Sequence, residues 1–161
     1  MANRIEVPTG GYSFAQAPDR LVTIGVGSCL AICLYSPERK VGALIHSMLP
    51  RAGQHVTNPS LYVDTALNVV LEKFAHAGID HRHLFAKLVG GAEMFPGIQQ
   101  IDNAGGIGQR NVEEASRLLK ILGIPVASTS LGGNRGRSLS FDMENGVVSI
   151  AAVSATDILK I

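Results

Sequence analysis

The sequence is poor in charge. Aspartate, glutamate, lysine and arginine make up 17% of its 161 residues and balance to a net +1. No long-range field therefore recommends nucleic acid or an anionic membrane as partner. No apolar run approaches the length of a membrane span, and the opening residues, MANRIEVPTGG, lack the apolar core of a signal peptide. Cysteine is scarce as well. Two cysteines without an export signal point to a reducing compartment rather than to a disulfide framework. These absences lead to the expectation of a soluble cytoplasmic protein. What is present is apolar: 46% of the residues are hydrophobic. One domain over residues 1–161 can bury roughly 70% of the surface its unfolded form exposes.

Glycine is the unusual entry in the composition, with eighteen residues. Many come in near-pairs: Gly25 with Gly27, Gly90 with Gly91, Gly105 with Gly106, Gly132 with Gly133. Such pairs at strand ends mark sharp turns or backbone that must come close to something.

Hydrophobic patterning predicts strands over 21–26, 30–35 and 41–48, with a polar turn at 36–40 between the last two. Asn58-Pro59 reads as a helix start, with Val63, Leu67, Val70, Leu71 and Phe74 on one face and Gly78 beyond the end. A strand over 84–89 runs into Gly90-Gly91. A second helix is expected over about 111–122, with Val112, Ala115, Leu118 and Leu119 on its stripe. A strand over 126–131 and a hairpin, 137–143 with 147–153 through Asn145-Gly146, complete the chain. The order predicts an α+β domain of sheet layers covered by two helices.

One constellation can carry chemistry. With the first hairpin centred on Glu38, Tyr35 pairs with Val41 and Leu30 with His46. A shift of one places Cys29 opposite His46, and diagonal neighbours also remain within reach. A thiol and an imidazole so placed can form a nucleophile and its base. The small-residue bend Gly25-Val26-Gly27-Ser28 keeps the flank of Cys29 open and can aim its backbone N–H at a developing oxyanion. Against this, a cysteine in an apolar strand is most often a small buried hydrophobe, and His46 fits a satisfied core histidine. Cys33, about 13 Å from Cys29 along an extended strand, is too far for a disulfide and reads as core. His81 and His83 lack further ligands nearby and read as a solvated strand edge rather than a metal site. The Gly105–Arg110 stretch could cradle an anion at a helix start. Gly132–Arg137 offers two guanidinium groups to a carboxylate, or is simply a solvated loop.

Six segments, in order along nearly the whole chain, resemble the CheD family of chemoreceptor glutamine deamidases. They are TIGVGSCLAICLY (23–35), KVGALIHSMLP (40–50), YVDTAL (62–67), KLVGGAEMF (87–95), IGQRNVE (107–113) and LGGNRGRSLSFDMENG (131–146). The resemblance implies an α/β/β layered sandwich with mixed sheets, similar to the cytotoxic necrotizing factor deamidases. It implies a catalytic triad of Cys29, His46 and Thr23 that hydrolyses receptor glutamines to glutamates with release of ammonia, and in some members glutamate methyl esters. No metal or cofactor is implied. The expected partners are the cytoplasmic domain of a methyl-accepting chemoreceptor, as substrate, and a CheC-type phosphatase. Thr23 can reach His46 only if the Gly25–Ser28 stretch bends back or carries the chain between layers. Two other readings stand beside this one: a non-catalytic regulator of a CheC-type phosphatase, and a thiol redox sensor using Cys29.

Overall fold

The computed structural model describes residues 1–94, 106–152 and 158–161. Among these residues, ten strands and two α-helices make two five-stranded sheets with helices over one of them. The first sheet contains β1 (Arg4–Glu6), β3 (Arg20–Val26), β8 (Arg137–Asp142), β9 (Val148–Ala152) and β10 (Ile158–Lys160), in that spatial order. The second has the order β2 (Gly11–Gln16), β5 (Val41–Ser47), β4 (Leu30–Ser36), β6 (Phe85–Gly90), β7 (Val126–Leu131). Each sheet has one parallel pair, β1 with β3 and β6 with β7, in an otherwise antiparallel ladder. This is the expected α+β architecture with mixed sheets.

Alternation along β4 and β5 divides the core in two. Leu30, Ile32, Leu34, Ala43 and Ile45 pack with Val63, Leu67, Val70 and Phe74 of α1 (Val63–His76) and with Ala115 and Leu119 of α2 (Ile107–Leu122). The intervening Ala31, Cys33, Tyr35 and Leu44 turn the other way. They meet Leu21, Val26, Leu139, Phe141 and Val148 of the first sheet. The second sheet is thus the middle layer, and every residue of β4 is buried. A strand covered on both faces reads as a continuous apolar run, which is why LAICLY is legible.

Several expectations need correction. Asn58 does cap, accepting from Ser60 N, but it caps a 3-10 turn at Pro59–Leu61; α1 starts at Val63 behind an extended Tyr62. Helix α2 begins at Ile107, a turn before the expected start. The segment His81–His83 is a 3-10 turn capped by Asp80, not a strand edge. Strands β1, β2 and β10 have no counterpart in the sequence reading. The first hairpin is one residue out of the expected register: Ser36 pairs with Val41, Tyr35 with Gly42, Leu30 with Ser47 and Ala31 with His46. The physical reason is a four-residue turn, 37–40, closed by Lys40 in the left-handed region at φ 51°. The shift runs opposite to the one that sets Cys29 against His46. Cys29 instead lies two residues beyond Ala31, diagonal to His46.

Candidate active site

Thr23 owes its orientation to an irregularity. The β3–β8 register advances by one between Thr23↔Leu139 and Val26↔Arg137, and Gly25 takes φ +70° inside the extra step. Thr23 and Val26 are three residues apart and in a regular strand would face opposite ways. The bulge turns both inward, leaving Ile24 and Gly25 exposed. The chain then leaves the first sheet and enters the second across Gly27, Ser28 and Cys29. Main-chain bonds pin this crossing, from Ala92 N to Gly27 O at 2.9 Å and from Gly91 N to Cys29 O at 2.8 Å. Thr23 therefore stands on one sheet and Cys29 leads into the other.

His46 lies on the face of β5 that looks at the first sheet, fully buried. Its Nδ1 is 2.8 Å from Thr23 Oγ1, and the same hydroxyl donates to Val7 O at 2.7 Å. A threonine hydroxyl has one proton. Since that proton goes to the Val7 carbonyl, Thr23 can only accept from His46, so neutral His46 carries its proton on Nδ1. The lone pair is left on Nε2, which is buried and has no hydrogen-bond partner among the described residues. Burial away from water lowers the imidazole pKa from 6.5 to about 4. His46 is thus an unprotonated base with its basic nitrogen unspent.

Cys29 is half-buried and free. Burial raises its thiol pKa, an effect partly countered by its own backbone N–H. Both groups are neutral at rest, and a proton must pass from sulfur to imidazole as the sulfur attacks. Cys33 faces the same inter-sheet core, where burial pushes its thiol up to about 12 despite nearby Lys87. It is a core thiol, as expected.

The structure thus brings Thr23 and His46 into contact and puts Cys29 diagonal to His46. No residue signature could announce Val7, because a backbone carbonyl takes part there. The remaining candidates do not join this group. His81 and His83 lie on an exposed turn, and no cluster of three or more His, Cys, Asp or Glu suited to a metal occurs among the described residues. Gly106 is the N-cap of α2 with no side-chain cap, while Gly105 lies outside the described residues. Arg137 donates to Gly132 O at 2.8 Å, bracing its own loop. Among the described residues, no helix is long and apolar enough to cross a membrane.

Known proteins resemble this chain over most of its length. A family profile described as "CheD chemotactic sensory transduction" matches residues 48–152. A Desulforamulus reducens protein named "Probable chemoreceptor glutamine deamidase CheD" is 39% identical over 94% of this chain and 92% of its own length. The "Chemoreceptor glutamine deamidase CheD" of Thermotoga maritima is 38% identical over 94% of each. A Pyrococcus abyssi relative, again named as a probable chemoreceptor glutamine deamidase, is 38% identical over 99% of this chain and 98% of its own. Similarity of this extent, over nine-tenths or more of each protein, places the chain in the CheD family.

Proposed function

We propose that the protein is a cysteine-dependent hydrolase that converts specific glutamine side chains of a chemoreceptor to glutamate. Cys29 is the nucleophile, His46 the proton carrier and Thr23 the residue that orients His46. One observation carries this reading: the Thr23 hydroxyl, committed to Val7 O, fixes the His46 tautomer and leaves Nε2 bare on the face that Cys29 shares. The relatives' names supply the substrate class.

The chemistry follows. His46 Nε2 takes the Cys29 proton as sulfur attacks the carboxamide carbon, and the C=O electrons move to oxygen. Backbone N–H groups of the Gly27–Cys29 bend face that oxyanion, a contribution of roughly 3 kcal/mol per donor in other enzymes. The imidazolium returns its proton to the departing nitrogen, releasing ammonia and leaving a thioester. Water, deprotonated by His46, then cleaves the thioester to glutamate and restores the thiol. Water is the sole co-reactant. A glutamate methyl ester can follow the same course, with methanol leaving.

Ile24, Met48, Leu49 and Met94 are exposed on the segments that carry or cover Thr23, His46 and Gly27. Exposed apolar side chains on these segments suit a folded helical surface rather than a free amino acid. A receptor's cytoplasmic part as substrate puts the work in the cytoplasm, and a CheC-type phosphatase is a further partner. Mass spectrometry of a receptor cytoplasmic fragment incubated with the protein, with ammonia measured in parallel, tests the proposal. Glutamine-to-glutamate conversion is expected at defined positions and is lost in Cys29→Ala. Undiminished conversion by Cys29→Ala, or equal turnover of free glutamine, would refute it.

A further inference from the structure

We infer that Asn111 is a positioning residue that sets the distance between Cys29 and His46. The inference rests on the reading of those two residues given above.

The last hydrogen-bonded rung of the β4–β5 ladder is Leu30 with Ser47, and the next such pair in register would be Ser28 with Leu49. That rung is not made. Leu49 gives its N–H to Leu61 O and its carbonyl to Val63 N. The two chain segments carrying the candidate nucleophile and base thus separate at the point where their relative position matters most.

The side chain of Asn111, fully buried on the first turns of α2, spans this gap. Its Nδ2 donates to Ser28 O at 2.9 Å and to Met48 O at 3.0 Å. Ser28 precedes Cys29, and Met48 follows His46 by two residues. An amide nitrogen has two protons and both are used. Reversing the amide would set its oxygen against two carbonyls, so the orientation is fixed. Oδ1 is left buried with no partner among the described residues. An unpaired buried acceptor is costly, and its retention is consistent with a demand for both donors at this position. No other side chain of this size offers two N–H donors from one atom at the end of so short a stem.

The consequence concerns rate rather than substrate capture. A misplacement of about 1 Å in a reacting pair can cost on the order of a hundredfold. Asn111→Leu, similar in shape, removes both donors. Asn111→Ser keeps one. Asn111→Asp sets an anion against two carbonyls, but on protonation regains a single O–H donor.

The test uses the full-length protein, with thermal melts on each variant. The first readout is iodoacetamide alkylation of Cys29, which needs no receptor. Asn111→Leu is expected to slow labelling at least about tenfold, to a rate near that of His46→Ala. The double variant Asn111→Leu/His46→Ala should be no slower than His46→Ala, because both act through one pair. On a receptor fragment, kcat should fall by a similar factor with KM within about twofold. Asn111→Ser should be intermediate, and Asn111→Asp should regain rate as pH falls and its carboxyl protonates. If Asn111→Leu does not fold, the Ser variant is read against the same cycle. Unchanged labelling and kcat in a folded variant, additive effects in the double variant, or a loss confined to KM would each overturn the inference. Should Cys29→Ala retain deamidation, the catalytic reading fails, while the labelling cycle still decides whether Asn111 sets the Cys29–His46 relationship.

Discussion

Thr23 and His46 meet from different sheets, Oγ1 to Nδ1 at 2.8 Å, and the bond has only one possible direction because Val7 O takes the threonine proton. The contact joins the layers at the point where the chain passes from one to the other. It also fixes which imidazole nitrogen is basic. That single relationship makes the thiol and imidazole chemistry specific enough to test.

The thiols should differ sharply. Cys29 is half-buried with an unpartnered base diagonal to it, whereas Cys33 is sealed in the inter-sheet core with its pKa pushed to about 12. Iodoacetamide at neutral pH should label Cys29 in the native protein and reach Cys33 only on unfolding. His46→Ala should slow Cys29 labelling. Comparable native labelling of both cysteines, read by peptide mass mapping, would contradict the assignment.

The pH dependence has a definite sign. Folded His46 has its pKa lowered to about 4 by burial, from 6.5 for a free imidazole. Between those values the unfolded chain binds more protons than the folded one. Stability therefore rises with pH from about 4 to about 6.5, and acidification through that window removes up to roughly 3 kcal/mol. Urea melts of wild type and His46→Gln from pH 4 to 7 measure the term, which should vanish in the variant. The acid limb of kcat/KM, where the pair titrates as a unit, should lie well below the ordinary imidazole range.

Gly90 is a position beside Cys29 that tolerates no side chain. Its φ is +115°, and a Cβ there would come within 2.5 Å of both Cys29 O and Val26 Cγ1. Gly90→Ala should cost about 3 kcal/mol or more, combining backbone strain with overpacking. Gly53→Ala, with no atom within 4 Å of the added carbon and no positive φ, should stay within about 0.5 kcal/mol of wild type. Denaturant midpoints decide; equal midpoints would show that the crossing at Gly27–Cys29 yields without cost.

Much of this was legible in the residues. LAICLY reads as a strand buried on both faces because both faces are in fact covered, and Asn145-Gly146 reads as a turn because Gly146 needs φ 74°. Register was not legible, since it depends on whether Lys40 enters the left-handed region, which no pattern announces. Strand β2, GYSFAQ, is a half-buried edge and carries weak alternation. Counting along a hairpin draws attention to Cys29 and His46, but in a register the strands do not adopt, and Thr23 came from the family resemblance. Its link to His46 crosses between sheets and depends on a bulge at Gly25. Val7 and Asn111 escaped for opposite reasons: one acts through its backbone, and the other looks like an ordinary residue near a helix start.

The Thr23 series separates orientation from packing. Thr23 is 1% exposed, so its methyl fills space while its hydroxyl makes both bonds, and each role predicts a different ranking. Thr23→Ser keeps the proton for Val7 O and the acceptor for His46 Nδ1–H, at the cost of one methyl, roughly 1 kcal/mol of burial. Thr23→Val keeps the shape but leaves two buried polar groups unpaired, each worth about 1–3 kcal/mol. If Thr23 orients the imidazole, kcat should rank wild type, then Ser, then Val and Ala, with Val down at least about tenfold. Receptor affinity should hold near wild type in all, since Thr23 faces the interior. If packing is the whole role, Val should be active and Ser the poorer enzyme. Steady-state kcat on a receptor fragment, with melts confirming that each variant is folded, distinguishes the two rankings. A Val variant as fast as wild type would remove Thr23 from the site and leave the His46 tautomer without its anchor.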